Sequence, residues 1–234
     1  MWPIPSLENE LITISFSPNN LALSYIQKTD ASSTPYALRA YKHVPLDNLE
    51  LENLVLYNPS KIKDVVSGFL NEHRKTNSFI AFSLQGPAIT EKLVHSPSST
   101  FNAHNANTHD RGFIERGYQY LYPHDNGTFV FYTYAVARSL LLQYKLFAIA
   151  TRLNLLTITT QRMALLNIYK HIFGPAFRST QLAVDMHLHN NMIEHLITPD
   201  SLKRILKIEP SISNTDDLLL LATACGLFIQ GTNQ

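Results

Sequence analysis

Cysteine is nearly absent: the single Cys225 in 234 residues excludes an internal disulfide and fits a reducing compartment. It lies in an apolar run among Leu, Ala and Phe, the setting of an inert core residue and not of a nucleophile. Glycine is scarce too, with eight in the chain and no two closer than five residues. Phosphate-binding loops need glycine where the backbone must approach a phosphate with unusual dihedrals, so this spacing argues against them and against a dinucleotide fingerprint. No G-x-S-x-G elbow occurs. Charged residues are only 16% and the net charge is +1, which gives no electrostatic reason for a nucleic-acid partner. No apolar run suits a membrane span. Phe129–Ala150 is long enough, but Arg138 and Lys145 would each cost roughly 3 kcal/mol at mid-bilayer, and Leu218–Ile229 is too short. The opening MWPIPSLENE has neither a basic start nor an apolar core, so no signal peptide is expected. There is no repeat of fixed period and no low-complexity linker.

What is present is a globular chain, 45% hydrophobic, large enough for one big domain or two small lobes. Its most readable stretch is residues 128–174, strand, long helix, strand, second helix. Thr128–Thr133 is β-branched and aromatic. From Val136 the period becomes helical: Leu140, Leu141, Tyr144, Phe147 and Ala148 share an apolar face, and Arg138, Lys145 and Arg152 recur on the other. Leu155–Thr159 reads as a short strand. Thr159 or Thr160 then caps a helix carrying Leu165, Ile168, Tyr169 and Ile172, stopped by Gly174 and Pro175. Two strand-then-helix passes argue for an α/β protein with helices laid on a sheet.

Upstream, Leu11–Phe16 and Leu21–Gln27 flank the turn residues Ser17–Asn20 and predict a hairpin, with Tyr36–Val44 as a third strand. Asn58-Pro59 opens a helix over roughly 60–74 whose core face is Ile62, Val65, Val66, Phe69 and Leu70. Ser78–Ser83 and Ala88–Val94 read as strands on either side of Gln85-Gly86-Pro87, and residues 95–110 as a loop. Asn126-Gly127 signals a hairpin pairing Tyr118–Tyr122 with Thr128–Thr133. Downstream, Gln181–His189 and Met192–Ile197 read as strands, Pro199 to about Lys207 as a short helix, and Thr215–Gly231 as the closing helix.

The chain resembles the PilM-type proteins of bacterial type IV pilus assembly, closest in kind to their short relatives HofM and the competence protein ComA. Four segments carry the resemblance in order besides the 128–174 block: LITISFSPNNLALSYI, SFIAFSLQGPAITEKLV, QLAVDMHLHNNMIEHL and LLLLATACGLFIQG. It implies a shortened actin-like (RNase H-like) two-lobed α/β fold. Residues 1–83 with 154–176 would form a first lobe, 84–153 an inserted subdomain, and 177–234 a truncated second lobe. Actin-like ATPases hold phosphates on two glycine hairpins. Here the first, Ser15 to Asn20, has neither glycine nor aspartate, and the second keeps Asp185 but has His187 where the family has glycine.

The resemblance therefore implies a non-enzymatic adaptor with degenerate nucleotide loops and no cofactor. It would be cytoplasmic, held at the bacterial inner membrane by the N-terminal peptide of a PilN-like protein and indirectly by a PilO-like one. It leaves open a homodimer, and whether the system makes pili or takes up DNA. In this family the peptide lies between the first lobe and the inserted subdomain. The corresponding junction is Ser83, Leu84, Gln85, Gly86 and Pro87 on one side, with Tyr132, Tyr134 and Val136 on the other. Two other readings stay in play: the cytoplasmic domain of a GspL protein of type II secretion, disfavoured because the chain ends at ACGLFIQGTNQ without a span, and a small metal-dependent enzyme of RNase H-like fold. The latter would need clustered acids, and only Asp185 is well placed. Asp185, His187 and His189 alternate along one strand face near His195, a pattern zinc can use, but a hydrogen-bonded strand end is the expected role and no metal is expected.

Overall fold

Along the first strand, Ile12, Ile14 and Phe16 alternate with Leu11, Thr13 and Ser15, and a period of two sends these sets to opposite faces of a sheet. The computed structural model describes residues 9–29, 35–47, 51–75, 77–100, 114–124, 126–173, 199–208 and 215–232. It places both sets in core: all six residues are buried, so both faces of the strand are covered. The strand is β1 (Glu10–Ser17), paired antiparallel with β2 (Asn20–Lys28), which pairs antiparallel with β3 (Tyr36–Pro45). After the short hairpin β4 (Leu51–Glu52) and β5 (Val55–Leu56) comes helix α1 (Pro59–Glu72). It leads to β6 (Phe79–Leu84), parallel to β1.

The chain then leaves this sheet to build a second one. Strands β7 (Ile89–Ser96), β8 (Ile114–Pro123) and β9 (Phe129–Ala137) form a three-stranded antiparallel sheet in the order β7-β9-β8. Gly127, with φ of 81°, makes the turn between β8 and β9. Helix α2 (Arg138–Ala150) returns to β10 (Asn154–Thr160), parallel to β6, and α3 (Gln161–Phe173) follows. Helix α4 (Pro199–Lys203), β11 (Leu206–Ile208) and α5 (Thr215–Thr232) close the described chain. β11 adds parallel to β3, which gives the main sheet the order β10-β6-β1-β2-β3-β11.

Helices α1 and α2 cover one face of the main sheet, packing Ile62, Phe69, Tyr144 and Phe147 on Ile12, Ile14, Phe16, Ile80 and Phe82. On the other face, α3 and α5 pack on Leu11, Ile26 and Ala81, and this layer also takes in Leu121, Tyr122, Val130 and Tyr132 of the small sheet. The mixed α/β class is as expected. Of residues 177–234, expected as a second lobe, the described parts are built onto the first sheet through β11 and α5. The expected strands over 181–189 and 192–197, with Asp185, His187, His189 and His195, lie outside the described residues.

Strand β1 is tied down at its start. Glu10 accepts from Lys75 Nζ at 2.5 Å, Tyr25 at 2.9 Å and Ser78 at 3.2 Å. Burial by itself would raise the Glu10 carboxyl, but these donors and the Lys75 charge outweigh it and hold it below its ordinary value.

The α3–α5 layer depends on close approach. A Cβ built on Gly226 of α5 would sit 1.9 Å from the Ala164 carbonyl oxygen of α3, so only glycine lets the two backbones meet. Gly226→Ala should therefore force the helices apart at a cost of about 1–3 kcal/mol. The thermal midpoint should fall by roughly 2–4 °C per kcal/mol. Gly68, exposed on α1 with open space around its Cα, is the control. Gly68→Ala should raise the midpoint slightly, since alanine loses less backbone entropy in a helix.

Candidate functional site

Leu84 is the last residue of β6, and the chain must turn there to start the second sheet. Gln85 N–H donates to Phe16 O at 2.9 Å, and Ile89 N–H to Gly86 O at 3.1 Å, closing a four-residue turn with Pro87 at its second position. Gly86 holds no special dihedral here, but the space beside it is tight. A Cβ on it would meet Leu54 Cγ at 3.2 Å and Pro18 Cγ at 3.6 Å. Leu54 is fully buried and held at φ of 70°, where a side chain is strained; Tyr144 Oη donates to its carbonyl at 3.0 Å. The turns after β1, β4 and β6 thus meet at one point.

Beside this point opens a cavity of about 600 Å³. Leu84, Gln85, Gly86 and Pro87 form one wall, the first residues of β7 (Ile89, Thr90, Glu91) a second, and Gln161 and Arg162 of α3 a third. Thr160 caps α3, its Oγ1 accepting from Met163 N–H at 3.2 Å, which places the first turn of that helix at the opening. Among the described residues β7 is an edge strand, bonded on one side only to β9. The cavity lies along the start of β7.

The polar groups of the wall are linked. Tyr132 Oη donates to Glu91 Oε1 and shares a 2.9 Å hydrogen bond with Thr160 Oγ1. Arg162 faces the other Glu91 oxygen at 3.4 Å. Burial, then the Glu91 charge, pushes the Tyr132 phenol well above its ordinary value, so it stays a neutral donor. The result is a fixed chain from the small sheet through Glu91 to the start of α3.

The predicted junction residues separate into four places. Leu84, Gln85, Gly86 and Pro87 line the cavity, and Ser83 is buried just before it, donating to Ser15 Oγ at 2.8 Å. Tyr132 is buried behind the wall and reaches the cavity only through Glu91. Tyr134 lines a second opening of about 270 Å³ with Gly117, Gln119 and Thr157, and a Cβ on Gly117 would fall 2.1 Å from the Tyr134 ring. Val136 is buried in the α2 layer, opposite Ile89 in register. Sequence reasoning missed Thr90, Glu91, Gln161 and Arg162. The last two were within reach, because the cap at Thr160 fixes them as the first turn of α3.

The first hairpin, read as degenerate, turns through Pro18 and Asn19, neither at positive φ, and Pro18 has no N–H to offer an anion. Among the described residues no three His, Cys, Asp or Glu side chains gather as a metal site. No helix among them is long and apolar enough to cross a membrane.

No protein-family model matches this chain, and a search of curated proteins finds no match. Solved structures do share its fold. The chain superposes on a structure of a PilM-PilN type IV pilus biogenesis complex with a TM-score of 0.58 and 10% identity, covering 96% of this chain and 99% of that one. Weaker likenesses, both with a TM-score of 0.42, are to the cytoplasmic domain of EpsL, an inner-membrane component of the type II secretion system of Vibrio cholerae, and to RuvC of Thermus thermophilus. The first is 9% identical over 66% of this chain and 57% of that one; the second is 14% identical over 95% and 97%. The chain therefore shares its mixed α/β fold with the PilM-PilN structure.

If the Tyr132–Glu91–Arg162 chain holds the small sheet to α3, its members should differ in cost. Tyr132→Phe removes one donor and should cost about 1 kcal/mol, while Glu91→Ala removes the carboxylate that both the buried phenol and Arg162 meet and should cost about 1–3 kcal/mol. Urea unfolding of the two variants measures the order.

Proposed function

We propose that this chain is a non-enzymatic adaptor of a type IV pilus or competence assembly platform. In this reading the cavity beside Gly86 takes the N-terminal segment of a PilN-like membrane protein. One observation carries it: a cavity of about 600 Å³ lies along the edge strand β7, between the turn after β6 and the start of α3. An extended peptide binds well in such a place, because main-chain bonds to the edge supply affinity and pockets for alternate side chains supply selection. In support, one wall of the cavity, Leu84 to Pro87, is one side of the junction that the family resemblance implies, in a chain that shares its fold along 96% of its length with a PilM-PilN complex. The protein would sit at the cytoplasmic side of the inner membrane through this partner, with a PilO-like protein one step removed.

The reading as a non-enzyme rests on what the first hairpin offers. Pro18 replaces an amide donor and packs toward Gly86, and Leu54 fills the space beside it. A phosphate has neither the donors nor the room that glycine hairpins give it.

Two measurements follow. In fluorescence anisotropy with a labelled PilN-like N-terminal peptide, Thr90→Arg and Gly86→Arg should weaken binding about ten-fold, or roughly 1.4 kcal/mol, with little change in thermal midpoint. Thr90 is exposed and tolerates a long side chain, while Gly86 needs Leu54 to give by a few tenths of an ångström. Tyr134→Ala, in the neighbouring opening, should leave this affinity unchanged. Folded arginine variants that bind as tightly as the parent would refute the groove. In isothermal titration, Mg-ATP should bind more weakly than about 100 µM, or −5.5 kcal/mol; tighter binding would overturn the reading of the hairpin.

A further inference from the structure

We propose that the outer face of α2 docks on the surface of an anionic phospholipid bilayer. Leu142, Leu146 and Ile149 stand 55%, 54% and 72% exposed, and their spacing of four and three residues puts them in one row on the helix. Arg138 and Lys145 fall in the same row, Arg152 lies just past the end of the helix, all three are exposed, and α2 contains no acidic residue. The sequence showed only a basic stripe, which fits a solvated face or an acidic lipid or nucleic acid; the structure adds the three aliphatic side chains between them.

A second observation concerns the ends of α1 and α2. Arg74 and Arg152 each follow their helix's last cap residue, at φ of 55° and 56°. Glycine is the unstrained choice there, and each arginine costs backbone strain. A cation does suit the negative end of a helix dipole, but that accounts for charge nearby and not for its use at this one position. Because β6 and β10 are parallel neighbours, both helices end at the same end of those strands. Next to the row, Leu56, Pro59, Leu146 and Phe147 line an open apolar cavity of about 360 Å³, beside the exposed Tyr57.

Charge selects the occupant. A second copy meeting this face across a two-fold axis would set Lys145 and the terminal arginines against their own kind, a repulsive arrangement. Aliphatic side chains that protrude, flanked by Lys and Arg whose stems can keep their heads at phosphate level, are the composition of a helix lying in a membrane interface. Arg138 already meets Glu115 at 3.2 Å, so Lys145, Arg152 and Arg74 carry most of the attraction. With one row of three aliphatic residues the contact is weak and reversible. The proposal is independent of the peptide groove.

The test is co-sedimentation of the intact chain with two vesicle types, pure phosphatidylcholine and phosphatidylcholine with about 30% phosphatidylglycerol. The chain should pellet with the anionic vesicles at low salt, and its partition should drop about ten-fold at roughly 0.5 M salt. Leu146→Asp, Ile149→Asp and Lys145→Glu should each reduce it at least about five-fold while thermal midpoint and groove-peptide affinity stay at the parent's values. Equal binding to neutral vesicles, or unchanged binding by folded variants, would overturn the proposal. So would a parent that binds neither vesicle. Ultracentrifugation then assigns the face: a dimer lost in Ile149→Asp means a second copy, and a monomer means a protein partner.

Discussion

Strand β6 is hydrogen-bonded on both edges, to β1 and β10, and covered on both faces by helices. A strand enclosed on four sides can leave its sheet only at its end, and for β6 that end is Leu84. Every feature of the proposed groove follows from this. The turn must be tight, because Gln85 is still bonded to Phe16. It leaves little room for a Cβ at Gly86, which would touch Leu54 Cγ at 3.2 Å in the turn after β4. The next strand must start a new sheet, since the main one has no place left beside β6.

That second sheet would be a loose flap without an anchor. Its underside supplies one: Leu121, Tyr122, Val130 and Tyr132 enter the same core as α3 and α5. The Tyr132–Glu91–Arg162 chain adds a directional tie at the rim of the cavity. Burial fixes the distance between the sheets, and the polar chain fixes their register at the groove. The α3–α5 layer below is set by Gly226 against Ala164, so the position of Arg162 traces back to a glycine in the last helix.

The sequence made the regular elements legible and the irregular ones not. The hairpin of β1 and β2, the α1 helix, the β8–β9 turn at Gly127 and the capped start of α3 were all readable, because each has a period or a cap local to it. The β4–β5 hairpin was missed: its turn puts Asn53 and Leu54 at positive φ without a glycine, and it is held by burial of Leu51, Leu54 and Leu56 and by hydrogen bonds from Tyr144 and Gln143 of α2, none of them local in sequence. β11 was missed because three residues have no period, and pairing with β3 alone defines it. The Leu84–Pro87 wall was legible from its turn residues. Tyr134 and Val136, expected at the same junction, do not line this cavity. In a strand at the junction of two layers, Tyr132, Tyr134 and Val136 share a face yet meet three different surroundings.

The α2 row and the groove differ in what they can distinguish, and that difference makes them complementary. Dispersed cations and aliphatic side chains recognise a surface class and nothing finer. A walled cavity on a strand edge recognises a sequence but, for one short peptide, holds it only modestly. A peptide that is itself fixed to a membrane is present at high local concentration for any chain already resting on that membrane. The two weak contacts then multiply instead of adding, provided the geometry lets both engage at once. In that arrangement the fold needs no nucleotide to switch it. Under both proposals, occupancy would be set by whether an anionic surface and a tethered peptide are found together.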